Sequence, residues 1–114
     1  HGHLTGDMAV QVVAATLRTA LRSVDIAGRY GGDEFLVIIP QTPLAGARSI
    51  ADKVQEAMQD VERPLTGGAT LTITVSMGIA ALGPEPEDMD GFIHRVDTAL
   101  YNSKGAGKNR ITVA

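Results

Sequence analysis

The fold of this chain is decided around one short stretch, Arg29-Tyr30-Gly31-Gly32-Asp33-Glu34-Phe35, which lies between two apolar segments. The second segment is the apolar run at residues 35–39, and Pro40 ends it. A Gly-Gly pair supplies the positive φ angles that a tight turn between antiparallel strands needs. The stretch therefore predicts a β-hairpin whose tip carries two adjacent carboxylates.

The chemistry of this tip suits a phosphate and a metal ion. Two glycines leave the backbone amides open to a phosphate group, because no side chain obstructs the approach. Asp33 and Glu34 offer hard oxygen donors, and Mg²⁺ commonly binds through one or two carboxylates together with substrate phosphates. The alternative is an ordinary surface turn, since acidic, glycine-containing hairpin turns are common.

Hydrophobic periodicity predicts the remaining elements of the chain. Apolar residues recur at helical spacing in three segments, and apolar residues alternate with polar ones in the segment before Gly78. The run at 35–39 is apolar on both faces, which favours an interior strand. The predicted elements are a helix from Met8 to about Arg22, strands at 26–30 and 35–39, a helix along 44–61, a strand from Thr70 towards Ala80, a helix along 92–103 and a short strand at 111–113.

Composition limits the classes of protein that fit. A length of 114 residues suits one domain with a single core, and the absence of cysteine excludes a disulfide framework and a thiolate nucleophile. The net charge of −3 provides no general attraction to nucleic acid. No apolar run approaches the ~18–20 residues that span a bilayer. We therefore expect a cytoplasmic domain that does not bind nucleic acid, although a longer parent protein could still carry a membrane anchor.

Five motifs in the correct order resemble the GGDEF family, the diguanylate cyclases, over nearly the whole chain. The hairpin stretch at residues 29–35 is one of the five. The other four are Gly2-His3 with Gly6-Asp7, then Arg22-Ser23-Val24-Asp25, then Thr74-Val75-Ser76-Met77-Gly78-Ile79-Ala80, and finally Asp97-Thr98-Ala99-Leu100-Tyr101 followed by Lys104, Gly107, Lys108 and Asn109.

The resemblance implies an α/β (α+β) fold, the ferredoxin-like palm of nucleotidyl cyclases, with a central sheet flanked by helices. Family members begin with a strand that carries an aspartate metal ligand, followed by a Phe-Lys pair and a guanine-binding asparagine. These features are not in this sequence. Residues 1–114 are therefore interpreted as a GGDEF domain that lacks its first strand, and we expect this piece alone to be inactive. Loss of a central strand is expected to expose two strand edges, which invite pairing with another chain.

The implied reaction joins two GTP molecules into cyclic di-GMP with release of two pyrophosphates. One domain holds one GTP, so the resemblance implies a homodimer, together with Mg²⁺ or Mn²⁺ and with attached sensory or effector domains in the parent. It makes Asp33 a catalytic metal ligand that helps to deprotonate the attacking hydroxyl, and Glu34 a second catalytic acid beside the metal. Gly31 and Gly32 would give the phosphates room.

Three further residues resemble the family's substrate contacts. Asp7 resembles an acid that accepts hydrogen bonds from guanine N1–H and N2–H₂, which adenine does not present as adjacent donors. Its alternative role is the N-cap of the first helix. Lys104 and Lys108 resemble a basic pair that reaches the triphosphate. Their alternative is a solvated helix end, where cations favour the negative pole of the helix dipole.

Arg22 and Asp25 resemble an Arg-x-x-Asp site at which cyclic di-GMP inhibits the enzyme. Arginine can donate two parallel hydrogen bonds to a phosphate or to guanine, and aspartate can accept from guanine. Lys53 resembles the basic residue that completes this site from a neighbouring domain. The alternative for Arg22 and Asp25 is a surface ion pair, worth ~0–1 kcal/mol. A zinc site at His1 and His3 is rejected, because the third and fourth ligands are missing.

Two classes of function fit these motifs. The first is an enzyme, a diguanylate cyclase subject to product inhibition. The second is a non-catalytic regulatory module that binds GTP or cyclic di-GMP and controls an attached domain. The intact acidic turn and the two lysines favour the enzyme for the parent protein.

Overall fold

The computed structural model describes residues 3–31, 34–59, 62–64, 67–68 and 70–114 of the chain. Helices and small strand pairs alternate along it, as the periodicity predicts, and they form a mixed α/β fold. The elements are α1 (His3–Ala20), β1 (Ile26–Arg29), β2 (Phe35–Ile38), α2 (Leu44–Gln59), β3 (Glu62–Pro64), β4 (Thr70–Thr72), β5 (Met77–Ile79), α3 (Met89–Gly105) and β6 (Ile111–Val113).

The described strands form three two-stranded sheets. The predicted hairpin is confirmed, because β1 and β2 pair antiparallel and Arg29 lies opposite Phe35 next to the turn. The β5 and β6 strands pair in parallel, and β3 and β4 form a second antiparallel pair. Within the described residues β2 pairs with β1 alone, so these strands do not provide the interior position expected for the run at 35–39.

One hydrophobic core joins the β1–β2 hairpin and the β5–β6 pair. Its centre consists of Val12 and Leu17 from α1, Val54 and Met58 from α2, and Ile73. Residues of both β2 and β5 pack against this centre. Met58 is fully buried, and complete burial of such a side chain contributes ~1.5–3 kcal/mol. The shared core fixes the hairpin relative to the β5–β6 pair.

Helix α3 packs closely on the β5–β6 pair. A Cβ atom at Gly78 would collide with the backbone nitrogen of Leu100, and it would lie 2.6 Å from the Val96 oxygen. Ser103 is fully buried, and its hydroxyl donates to the Met77 carbonyl at 2.7 Å. Glycine in the strand and a small polar residue in the helix therefore set the distance between the two layers.

The start of α1 corrects one prediction. The helix begins at His3, so Asp7 lies about one turn inside it and is exposed to solvent. An N-cap residue has a non-helical backbone, and the interpretation of Asp7 as an N-cap is therefore wrong. Gly6 suggested a boundary, because glycine costs ~1 kcal/mol inside a helix. The packing of Met8 and Ala9 against the core favours continuation of the helix instead.

The strand predicted from Thr70 to Ala80 is divided into β4 and β5. The β3 strand was not predicted, because it contains Pro64, and proline within a run argues against a strand. Pro64 lies at the last register position, opposite Thr70, where the hairpin turns. The last helix and the short strand at 111–113 are confirmed. Among the described residues, no helix is both long enough and apolar enough to cross a membrane.

Candidate functional site

The hairpin turn is closed by two backbone hydrogen bonds to one carbonyl. The amide of Tyr30 donates to the Glu34 oxygen at 2.8 Å, and the amide of Gly31 donates to the same oxygen at 3.4 Å. A Cβ atom at Gly31 would make ordinary contact with Glu34 Cβ at 3.8 Å, so packing against the described residues does not demand glycine there. The predictions for Gly32 and Asp33 fall outside the described residues.

Glu34 is brought to the end of α3, which lies 70 residues further along the chain. Its Oε1 atom lies 3.4 Å from Lys104 Nζ, in the last turn of that helix. The two side chains are 36% and 45% exposed, and an ion pair with this exposure contributes ~0–1 kcal/mol. The contact therefore brings an acid and a base together without holding either side chain tightly. A phosphate or metal ion can replace either partner at little cost.

Lys108 follows α3 in a loop with an uncommon backbone. Lys108 and Asn109 have φ angles of 61° and 48°, in the left-handed region that costs an ordinary residue ~1–2 kcal/mol. The Lys108 amide donates to the Ser103 carbonyl at 3.0 Å. Gln55 Nε2 donates to the Asn109 carbonyl at 3.0 Å, and the Asn109 amide donates to Ser76 Oγ at 3.2 Å. The surrounding elements thus hold this loop in one shape.

Sequence reasoning missed Gln55 as a support of the loop. Gln55 lies on α2, far from Asn109 in the sequence, and a polar residue on the outer face of a helix gives no local signal of a long-range contact. The two remaining predicted site residues, Asp7 on α1 and Lys53 on α2, are exposed. No described ion pair or hydrogen bond joins either of them to the hairpin, to Lys104 or to Arg22. Their predicted roles stay predictions.

Arg22 and Asp25 form a two-pronged ion pair in the turn between α1 and β1. Arg22 Nη2 donates to Asp25 Oδ1 at 2.8 Å, and Nε donates to Oδ2 at 3.1 Å. The backbone amide of Arg22 also donates to Oδ2 at 2.8 Å. The hydrogen bonds from the Arg22 guanidinium hold the pKa of Asp25 below its ordinary value. Desolvation acts in the opposite direction, whereas the backbone hydrogen bond and the charge of Arg22 lower the pKa further. The predicted pair is therefore formed within a single chain.

The same arginine also contacts the turn between β2 and α2. Its Nη2 donates to Thr42 Oγ1 at 2.8 Å and to the Pro40 carbonyl at 3.2 Å. Sequence reasoning did not identify Thr42 or Pro40, because they come near Arg22 only when the hairpin folds back. Beside Arg22, an open groove of about 510 Å³ lies between α1 and β1, and Arg18 and Arg29 line it together with Asp25.

Among the described residues, no three histidine, cysteine, aspartate or glutamate side chains come together as a metal site. Glu34 provides one carboxylate at the hairpin. Mg²⁺ usually binds to proteins through one or two carboxylates and completes its shell with water and substrate phosphates. An acid of this kind, exposed beside a turn, fits a metal that arrives with a nucleotide better than a permanently held ion.

Curated proteins similar to this chain include Diguanylate cyclase A of Treponema denticola, with 31% identity over 114 residues, and Probable diguanylate cyclase DgcC of Escherichia coli, with 39% identity over 113 residues. The matches cover 100% and 99% of this chain but 30% of each relative. The chain thus spans about a third of the length of these proteins.

Solved structures agree with the sequence comparison. The GGDEF domain of DgcB from Caulobacter crescentus, crystallised with c-di-GMP, superposes with a TM-score of 0.91 and 31% identity, over 98% of this chain and 66% of that one. A GGDEF domain of TpbB, also called YfiN, from Pseudomonas aeruginosa gives a TM-score of 0.88 at 31% identity, over 99% of this chain and 66% of that one.

Diguanylate cyclases with a GGDEF domain generally depend on a metal ion. The family model described as "Diguanylate cyclase, GGDEF domain" matches residues 1–110. It covers both the acidic hairpin and the two lysines at the end of α3. With the fold and the relatives in agreement, the chain belongs to the GGDEF-domain family of diguanylate cyclases.

Proposed function

We propose that this chain is the cyclase domain of an enzyme that condenses two GTP molecules into cyclic di-GMP. In each of two equivalent steps, the 3′-hydroxyl of one nucleotide attacks the α-phosphate of the other, and pyrophosphate leaves as the hydroxyl proton is lost. The observation that carries the proposal is the meeting of Glu34 with Lys104 at 3.4 Å. This contact places an acid of the hairpin and a base of α3 at one site, as a metal-bound triphosphate requires.

The metal ion, Mg²⁺ or Mn²⁺, would be held at the hairpin by Asp33 with Glu34 beside it, and would neutralise charge on the phosphates. Positioning and charge neutralisation account for most of the catalysis in phosphoryl transfer. Asp33 also helps to take the proton from the attacking hydroxyl. Gly31 and Gly32 admit the phosphates to the turn.

The two lysines bind the triphosphate from the opposite side of the site. Lys104 lies within reach of the hairpin acid, and Lys108 projects from a loop whose backbone is fixed by Gln55 and Ser76. A loop that is already ordered loses less entropy when it binds a ligand. Exposed Asp7 on α1 recognises the guanine edge, and its position inside the helix frees its carboxylate from the capping role.

Each domain binds one GTP, so catalysis needs a homodimer in which two sites face each other. The dimer brings each 3′-hydroxyl into line with the α-phosphate of the other nucleotide. Attached sensory or effector domains in a longer parent protein would control how often the two sites meet. A cytoplasmic site is consistent with the supply of GTP.

The product is proposed to inhibit the enzyme at Arg22 and Asp25, with Lys53 contributed by a neighbouring domain. The formed Arg22–Asp25 pair supports this proposal, because it presents a guanidinium of fixed orientation at the surface. The relative DgcB binds c-di-GMP in its GGDEF domain. A second candidate is a regulatory module that binds GTP or cyclic di-GMP without turnover, which the exposed arginine site would also serve.

The triphosphate site is tested by replacing Lys104 with alanine in the full-length gene product. Initial rates of pyrophosphate release are measured against GTP concentration, and Arg48→Ala serves as the matched control. Arg48 is also an exposed helical base with a surface ion pair. Lys104→Ala should raise KM for GTP by about tenfold or more, whereas Arg48→Ala should not change it. Equal KM values for the two variants would contradict the assignment of Lys104.

A further inference from the structure

Arg22 is held from two sides in this structure. Asp25 holds its Nε and Nη2 atoms, whereas Thr42 and the Pro40 carbonyl hold Nη2 from the turn between β2 and α2. The first contact lies within one turn of the chain. The second connects residues 20 positions apart and depends on the folded hairpin.

The hydroxyl of Thr42 has a defined direction. It donates its hydrogen to the Pro40 carbonyl at 2.9 Å, so an oxygen lone pair faces Arg22 Nη2 at 2.8 Å. Gln41, the preceding residue, has a φ of 50° and makes the sharp bend that presents Thr42 to the arginine. The hydroxyl thus acts as a fixed acceptor.

Both carboxylate oxygens of Asp25 already accept hydrogen bonds from Arg22. The Asp25 side chain also has no exposed surface. A guanine that donates hydrogen bonds to Asp25 must therefore displace part of the arginine fork. Thr42 and the Pro40 carbonyl continue to orient the guanidinium when that part of the fork is lost.

We propose that Thr42 is a positioning residue for the cyclic di-GMP site, because it keeps Arg22 oriented when the ligand engages Asp25. This inference rests on the proposed inhibitory site. It assigns no contact between Thr42 and the ligand. Thr42 acts by reducing the orientations available to a long cationic side chain, which lowers the entropy lost on binding.

The test compares Thr42→Val, which removes the hydroxyl but keeps the side-chain shape, with Thr42→Ser, which keeps the hydroxyl. Cyclic di-GMP affinity is measured by titration calorimetry on the full-length gene product. Because a more mobile guanidinium must be immobilised on binding, Thr42→Val should bind about five- to tenfold more weakly, while Thr42→Ser stays within about twofold. Thr98→Val is the matched control. The Thr98 hydroxyl also donates to a backbone carbonyl, but it lies on the exposed face of α3.

A second readout separates orientation from stability. The Nε–H resonance of Arg22 should shift or broaden in Thr42→Val, and the melting temperature of each variant is recorded alongside. Unchanged affinity in Thr42→Val would overturn the inference, as would equal losses in the valine and serine variants. Arg22→Ala tests the underlying site separately. Wild-type affinity in Arg22→Ala would refute the inhibitory site itself, and the role of Thr42 with it.

Discussion

Replacement of Gly78 by alanine should separate α3 from the β5–β6 pair. The added Cβ atom would collide with the Leu100 nitrogen, and it would lie 2.6 Å from the Val96 oxygen and 2.9 Å from the Ala99 carbonyl carbon. Comfortable carbon contacts lie near ~3.5 Å, so the layers must move apart by about 1 Å. All three obstacles are backbone atoms of one helix, and rotation of a side chain cannot relieve the contact.

The expected cost follows from this geometry. Overpacking of a core costs ~1–3 kcal/mol, and we expect the upper end of that range because backbone must move. The shift also strains the bond between Ser103 and the Met77 carbonyl. For a domain of this size, about 3 kcal/mol corresponds to a fall in Tm of about 15 °C.

The assay is thermal unfolding followed by circular dichroism, with Gly83→Ala as the matched control. Nothing lies within 4 Å of a Cβ atom at Gly83, so this variant should melt within a few degrees of the wild type. Lys104 lies on the displaced helix, and its contact with Glu34 should also weaken in Gly78→Ala. A Gly78→Ala variant that melts with the wild type would refute the packing account of α3.

Three further predictions concern the lysine loop, the arginine pair and the strand edges. Gln55→Leu removes the hydrogen bond to the Asn109 carbonyl, so it should lower the free energy of unfolding by about 1 kcal/mol and raise KM for GTP. Gln59→Leu should change neither quantity. Urea unfolding measures the first quantity and steady-state kinetics the second. The pKa of Asp25 lies below its ordinary 3.8, so the stabilisation it provides is complete above pH 3.8 and is lost as pH falls through the lowered pKa. The stability difference between the wild type and Asp25→Asn should therefore shrink below pH 3.8 in urea titrations, and a constant difference down to pH 2.5 would contradict the pairing. Within the described residues β2 and β5 each leave one edge without a strand partner, and the isolated 114-residue chain should self-associate in light scattering; a cooperatively melting monomer would contradict this prediction.

Local sequence determined much of the fold. The hairpin follows from a Gly-Gly turn between apolar runs, and the three helices follow from periodic apolar residues that meet in one core. The errors occurred where tertiary packing overrode a local preference. Helix α1 continues through Gly6, and β3 includes Pro64 at the end of its hairpin.

The candidate site was predicted less completely than the fold, because its contacts join distant parts of the chain. The resemblance to the family suggested Arg22 with Asp25 and the two lysines at and after the end of α3, and their roles stay predictions. It gave no indication that Thr42 would support the arginine or that Gln55 would support the lysine loop. Polar residues on turns and outer helix faces have no periodic pattern, and their partners are set only by folding.

Identification of the reaction product tests the proposed cyclase activity. The full-length gene product is incubated with GTP and Mg²⁺ or Mn²⁺, and the products are analysed by mass spectrometry beside an Asp33→Ala variant. We expect one cyclic di-GMP and two pyrophosphates for every two GTP consumed, and we expect no cyclic di-GMP from the variant. Absence of cyclic di-GMP from the wild-type protein, together with tight cyclic di-GMP binding that depends on Arg22, would contradict the proposed activity and identify a receptor.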